Sequence, residues 1–249
     1  MIQQAIQERL SIITSIYQDF VGYGLNSHFP GPNTLGLFPE EIFRLIWCEL
    51  ENDNNNSAVL GSHNGGSELI IALTKRYKGD KSQIFSVDIK FGDFFELNRT
   101  RLKNKTGIEL VKWEIDSKEF GQLYGAFTSD NLGLVLIDSL HKFSHIIGEF
   151  NGIKNLIVED GIVLFHDCSP IYPKAGIPYS KEMFNTDYED FFVDESISYI
   201  VDHNPEFKDY RIPICETMNR NQETQLDKWV RGKTSPNQAL YAIQYNEQH

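Results

Sequence analysis

Cysteine is scarce in this chain: Cys48, Cys168 and Cys215 are the three among 249 residues, and no two of them form a CxxC pair. An odd, scattered set builds neither a disulfide framework nor a zinc knuckle, so a reducing, cytoplasmic compartment is expected. Positive charge is scarce too, with 23 Lys and Arg against 35 Asp and Glu and a formal net charge of −12. Nucleic-acid surfaces recruit stripes of Lys and Arg, and their absence argues against such a partner. Apolar stretches such as Leu134-Val135-Leu136-Ile137 fall far short of the roughly 20 residues that cross a bilayer. The start, Met1 to Arg9, lacks the basic segment and long apolar centre of a signal peptide. No membrane partner is expected.

What is present suits a globular protein. Hydrophobic residues at 41% and charged residues at 23% allow a sizeable core. The length fits one domain over 1–249. Ile6, Leu10, Ile13 and Ile16 or Tyr17 recur at the three- and four-residue steps of one helix face over about 3–20. Gly22 to Pro39 is broken by repeated Gly and Pro and reads as a loop able to cover a site. A second helix runs on through Ile42, Phe43, Ile46 and Trp47 to the polar run Glu51 to Asn56, which reads as a solvated turn.

Beyond it, short apolar runs at 57–60, 84–87, 109–113, 134–137 and 162–165 alternate with helical stretches. That alternation predicts βαβ units and a Rossmann-like, doubly wound, mostly parallel α/β sheet. Three parts follow within one domain: N-terminal helices and covering loop (1–56), a cofactor-binding core (57–168), and a substrate-covering insertion with final strands (169–249). Strands are expected at Ile197 to Val201 and Leu240 to Tyr245. The aromatics Tyr172, Tyr179, Phe184, Tyr188, Phe191 and Phe192 form a wall for a substrate or a core for the insertion.

The chemistry gathers at strand ends. Gly61, Gly65 and Gly66 lie between the first sheet strand and a helix from Glu68 to Tyr77, where glycine lets the backbone approach a ligand and the helix N-terminus offers N–H groups. Asp88 ends the next strand, where an acid binds ribose hydroxyls. Loop and acid together suit a dinucleotide or S-adenosylmethionine; the loop is not a clean GxGxxG, which disfavours the dinucleotide.

Asp138 ends a central strand with His141 three residues on, and His166-Asp167 ends the following one. Parallel neighbours would bring Asp138, His166 and Asp167 together, and clustered carboxylates need a cation, a proton or a basic group to offset their charge. A divalent metal is one answer, magnesium or manganese for carboxylates, with imidazole tilting the choice toward manganese or iron. His141 has the basicity to take a proton from a substrate hydroxyl. His28, His145 and His203 read as structural or surface residues.

The segment Leu60-Gly61-Ser62-His63-Asn64-Gly65-Gly66-Ser67 resembles the first motif of class I methyltransferases of the macrocin O-methyltransferase and cephalosporin hydroxylase-like group. The resemblance implies that Gly61, Ser62, His63, Gly65, Gly66, Ser67 and Asp88 line an S-adenosylmethionine site. Asp116 and Ser117, in a segment similar to one that neighbours the adenine, would join them, although an Asp-Ser helix cap explains the same pair. It further implies a metal on Asp138 and Asp167, with Asp138 and His141 in catalysis; where the group adds an amide or second acid this chain offers His166 and Cys168, of which His166 is the expected third ligand. The chain departs from the pattern at Val59, where the group carries an acid. The expected activity is O-methylation of a small polar acceptor, a sugar or nucleotide-linked sugar, by an enzyme that could assemble as a homo-oligomer. A nicotinamide-dependent oxidoreductase and a non-catalytic cofactor-binding protein of the same fold are the alternatives.

Overall fold

A computed structural model describes residues 2–22, 39–166, 193–210 and 240–246. Five strands, β1 (Asn56–Leu60), β2 (Ile84–Asp88), β3 (Leu110–Glu114), β4 (Leu132–Ile137) and β5 (Ile157–His166), run parallel, and β6 (Phe207–Asp209) and β7 (Leu240–Tyr245) complete the sheet. Their order is β3-β2-β1-β4-β5-β7-β6, with β7 antiparallel to both of its neighbours. The order reverses between β1 and β4, which opens a crevice at the carboxyl ends of the strands where ligands bind in open α/β sheets.

Helices cover both faces. Residues of α1 (Ile2–Gly22), α2 (Pro39–Glu51), α3 (Gly66–Lys78) and α4 (Phe95–Thr106) pack with Val59, Leu134, Leu136 and Leu164 on one side. Residues of α5 (Phe120–Phe127), α6 (Phe143–Ile153) and α7 (Val193–His203) pack with Leu60, Phe85, Val135 and Phe165 on the other. Double coverage explains why β1 and β4 are buried along their whole length instead of alternating, with β4 apolar throughout and β1 apolar from Ala58 to Leu60. Among the described residues no helix is long and apolar enough to cross a membrane.

Two expectations are corrected. Ile197 to Val201 lies inside α7, where buried Ile197 and Ile200 stand three residues apart on a helix face. A short apolar run does not by itself separate strand from helix. The polar run after α2 is not wholly solvated: Asn52 and Asn56 are buried, while Asp53 and Asn54 are exposed. Asn52 Nδ2 donates to Asn55 O at 3.0 Å and to Ser57 Oγ at 3.1 Å, so a buried amide is satisfied there. The expected covering loop at 23–38 and the aromatic insertion at 169–192 lie outside the described residues.

That turn belongs to a sealed polar network. Lys75 of α3, fully buried, places Nζ 3.0 Å from Glu49 Oε1 and 2.9 Å from Asp80 Oδ2, and donates to Ser82 Oγ at 2.7 Å. Burial pushes the Glu49 carboxyl up, and Lys75 and Lys78 pull it back. For Asp80, burial is outweighed by the Ser82 N–H and Lys75, and its pKa is lowered. The network ties α2, α3 and the amino ends of β1 and β2. Removing the shared cation leaves two buried carboxylates short of a partner, so Lys75→Met should destabilise the fold by about 3–5 kcal/mol. Urea denaturation measures this, and an unchanged midpoint would show the network to be dispensable.

Candidate active site

The loop after β1 is held by backbone geometry. Gly61 has φ +97°, and a Cβ there would stand 2.1 Å from the carbonyl oxygen of Asp138, so β1 and β4 close on each other only because residue 61 has no side chain. Gly65, at φ +76°, sets the left-handed turn into α3. The His63 N–H donates to Asp88 Oδ2 at 2.8 Å, and the Lys90 N–H donates to Asp88 Oδ1 at 3.1 Å. Asp88 therefore braces the loop and keeps lone pairs for a further donor. The following segment grips the loop as well: Gly92 N–H donates to His63 O at 2.9 Å, and Asn98 Nδ2 donates to Asn64 O at 2.8 Å.

The other loop residues differ in what they present. Ser62 is turned inward, its Oγ accepting from Val87 N–H at 3.0 Å and donating to Val59 O at 3.2 Å. His63 is exposed, while Gly66 and Ser67 are buried at the start of α3. Asp116 caps a short 3-10 turn, accepting from Lys118 N–H at 3.0 Å, and buried Ser117 places Oγ 3.0 Å from His145 Nε2. His203 stacks on Tyr199 with ring centroids 3.9 Å apart. His28 lies outside the described residues.

At the carboxyl ends of β4 and β5 the paired residues Ile137 and Phe165 are followed by Asp138 and His166. His166 Nδ1 lies 2.9 Å from Asp138 Oδ1, and His141 Nε2 lies 3.5 Å from the same oxygen. Burial works to raise the Asp138 pKa, but His166 and His141 outweigh it and hold the carboxyl far below the ordinary range. Asp138, His141 and His166 each offer a ligand atom, all within 4.8 Å of one another. Two imidazoles and one carboxylate suit manganese, iron or zinc better than magnesium. Asp167, expected as a further ligand, lies outside the described residues.

Sequence reasoning missed three residues here. Glu41, in the first turn of α2, is buried with Oε1 3.3 Å from His166 Nε2, so His166 stands between two carboxylates. Ile89, just after Asp88, is 74% exposed, an uncovered apolar side chain beside the loop brace. Glu68, in the first turn of α3, is fully buried. Burial pushes its carboxyl up to about 7, against the weaker pull of the Ser62 and Ser86 hydroxyls. Acids in a first helical turn read as exposed complements to the helix dipole, and only the docking of each helix shows otherwise.

Residues 58–168 match a protein-family model described as a methyltransferase domain. The O-methyltransferase TomG from Streptomyces achromogenes, involved in tomaymycin synthesis and solved with S-adenosylmethionine, is similar in structure. Its TM-score is 0.57 at 11% identity, over 96% of this chain and 90% of that one. An O-methyltransferase from Bacillus cereus in complex with S-adenosylhomocysteine gives a TM-score of 0.53 at 11% identity, over 95% of this chain and 91% of that one. The S-adenosylhomocysteine-bound methyltransferase PaMTH1 of Podospora anserina gives 0.52 at 10%, over 83% and 78%. No curated protein sequence matches the chain.

The raised Glu68 carboxyl carries a consequence for stability. In the unfolded chain it ionises near its ordinary value of 4.5, whereas in the fold it stays protonated to about 7. Wild-type stability should therefore fall as pH rises from about 4.5 to 7 and level off above, by about 3 kcal/mol from this group. Glu68→Gln should be most favourable relative to wild type at pH 8 and lose that advantage toward pH 4.5. Urea midpoints at the two pH values decide it, and a pH-independent difference would rule out the buried carboxyl as the cause.

Proposed function

We propose that this chain, whose residues 58–168 form a methyltransferase domain within a Rossmann-like methyltransferase fold, is an S-adenosylmethionine-dependent O-methyltransferase. Its acceptor is a small polar molecule bearing a hydroxyl, in the class of a sugar or nucleotide-linked sugar. The observation that carries the reading is the contact of Gly61 with the Asp138 backbone, which sets the cofactor loop directly beside an acid and two histidines. A methyl donor and a group able to deprotonate a hydroxyl are needed side by side, and this geometry supplies neighbouring places for both.

The Gly61–Ser67 loop and Asp88 would bind the cofactor, with Asp88 accepting from the ribose through the lone pairs that bracing leaves over. Asp116 and Ser117 would border the adenine. His141 would take the proton of the acceptor hydroxyl, and the ionised Asp138 would stabilise the imidazolium that results. Transfer then needs oxygen, methyl carbon and sulfur in line, which is a matter of positioning. Asp138 and His166, with His141 in reach and Asp167 as a further donor, would hold a divalent cation. When bound, it would lower the pKa of the acceptor hydroxyl. The donor chemistry favours manganese.

Calorimetry should show binding of S-adenosylmethionine and none of NAD; the opposite result would return the chain to the oxidoreductases. EDTA should abolish methyl transfer and manganese restore it, whereas full turnover in excess chelator would remove the metal from the reading. His141→Ala should lower turnover about a hundredfold or more while leaving cofactor affinity near wild type. Unchanged turnover would make His141 structural.

A further inference from the structure

Three buried polar atoms meet beneath the glycine loop with no well-formed hydrogen bond: both carboxyl oxygens of Glu68 and the hydroxyl of Ser86, which with Ser62 stands close enough to pull weakly on the carboxyl. Glu68 is 0% exposed, and its electrostatic neighbours are the Ser62 hydroxyl of the loop, Ser86 of β2 and, more weakly, the Asp138 carboxylate of β4. None of these is a cation. The other buried charged groups of α2 and α3 have partners of their own. Arg44 of α2 donates to Leu240 O at 2.7 Å, Glu41 lies against His166, and Lys75 of α3 is tied to Glu49 and Asp80. A carboxyl shut under a ligand-binding loop with no positive partner is an uncompensated arrangement, and burial keeps it protonated to about 7.

Val59 lies on the same side of the sheet. It pairs in register with Ser86 and packs in the same core as Leu69 and Ile70, the residues that follow Glu68. The chain thus has an apolar side chain at the strand position where the resembled motif has an acid, and an unpaired acid a short way off on the helix that closes the same loop.

We propose that Glu68 is the counter-charge for the cationic methionine end of the cofactor, acting from beneath the loop. The inference rests on the S-adenosylmethionine reading above. Arrival of the α-ammonium group favours the ionised carboxylate, so Glu68 loses its proton to solvent as the ligand binds. Below about pH 7 that proton must be removed before the attraction operates, and affinity falls with pH. Ser62, whose hydroxyl already links Val59 O to the Val87 N–H, fixes the loop over the carboxylate.

The test is calorimetric titration of the whole chain at pH 5.5 to 8 in buffers of different ionisation enthalpy. S-adenosylhomocysteine, which carries the ammonium group, is compared with 5′-methylthioadenosine, which carries none. Wild type should bind S-adenosylhomocysteine with release of up to one proton and lose up to about tenfold in affinity per pH unit below 7. Methylthioadenosine should show neither effect. Glu68→Gln should bind S-adenosylhomocysteine about tenfold more weakly at pH 8, without the proton and without the pH dependence, and bind methylthioadenosine as wild type does. Adding Val59→Glu to that variant should return part of the lost affinity.

Equal loss of both ligands in Glu68→Gln would assign the residue to holding the loop and overturn the proposal. So would wild-type proton release and affinity in the variant. Failure of wild type to bind any adenosine ligand would instead defeat the cofactor reading, and this inference with it.

Discussion

The approach of Gly61 to the carbonyl of Asp138 governs the rest of the molecule. Parallel strands β1 and β4 lie side by side where the strand order reverses, and their ends converge so closely that a single methyl at residue 61 would overlap the neighbouring backbone. Asp138 N–H in turn donates to Leu60 O at 2.7 Å, so the two strand ends are bonded as well as packed. The glycine loop and the carboxylate cluster are in consequence one rigid unit. Displacing the loop would also break the hydrogen bonds through which Asp88, Gly92 and Asn98 grip it.

Much of this was legible in the residues. The central parallel strands were legible because a sheet covered on both faces turns such strands into largely apolar runs, whereas edge strand β3, with Lys112 and Glu114, was legible from the alternation of strands and helices. Asp138 and His166 could be paired in advance because consecutive strands of such a sheet usually neighbour each other, and the register of β4 on β5 places them opposite. Ile197 to Val201 failed for the converse reason, since five residues of mixed apolar character fit a helix face as well as a strand.

The buried polar residues were the least legible. Asn52, Asn56, Glu41 and Glu68 all have the composition of a surface, and nothing local separates them from exposed neighbours such as Asp53 and Glu96. Their burial is decided by where α2 and α3 dock, which is a property of the assembled core. His166 was foreseen beside Asp138, but its second carboxylate comes from Glu41, more than a hundred residues earlier in the chain, on a helix that the sequence joins to the site by no motif.

The Lys75 network occupies the amino ends of β1 and β2, the edge of the sheet remote from the glycine loop, and its ions are paired and closed to solvent. The carboxyl edge keeps the opposite condition, with the buried Glu68 carboxyl left without a cation and His166 held between Asp138 and Glu41. Robustness and reactivity are thereby assigned to separate ends of one sheet. Under selection, such a chain has room to exchange the residues that meet a ligand, because the ions that resist unfolding are not among them.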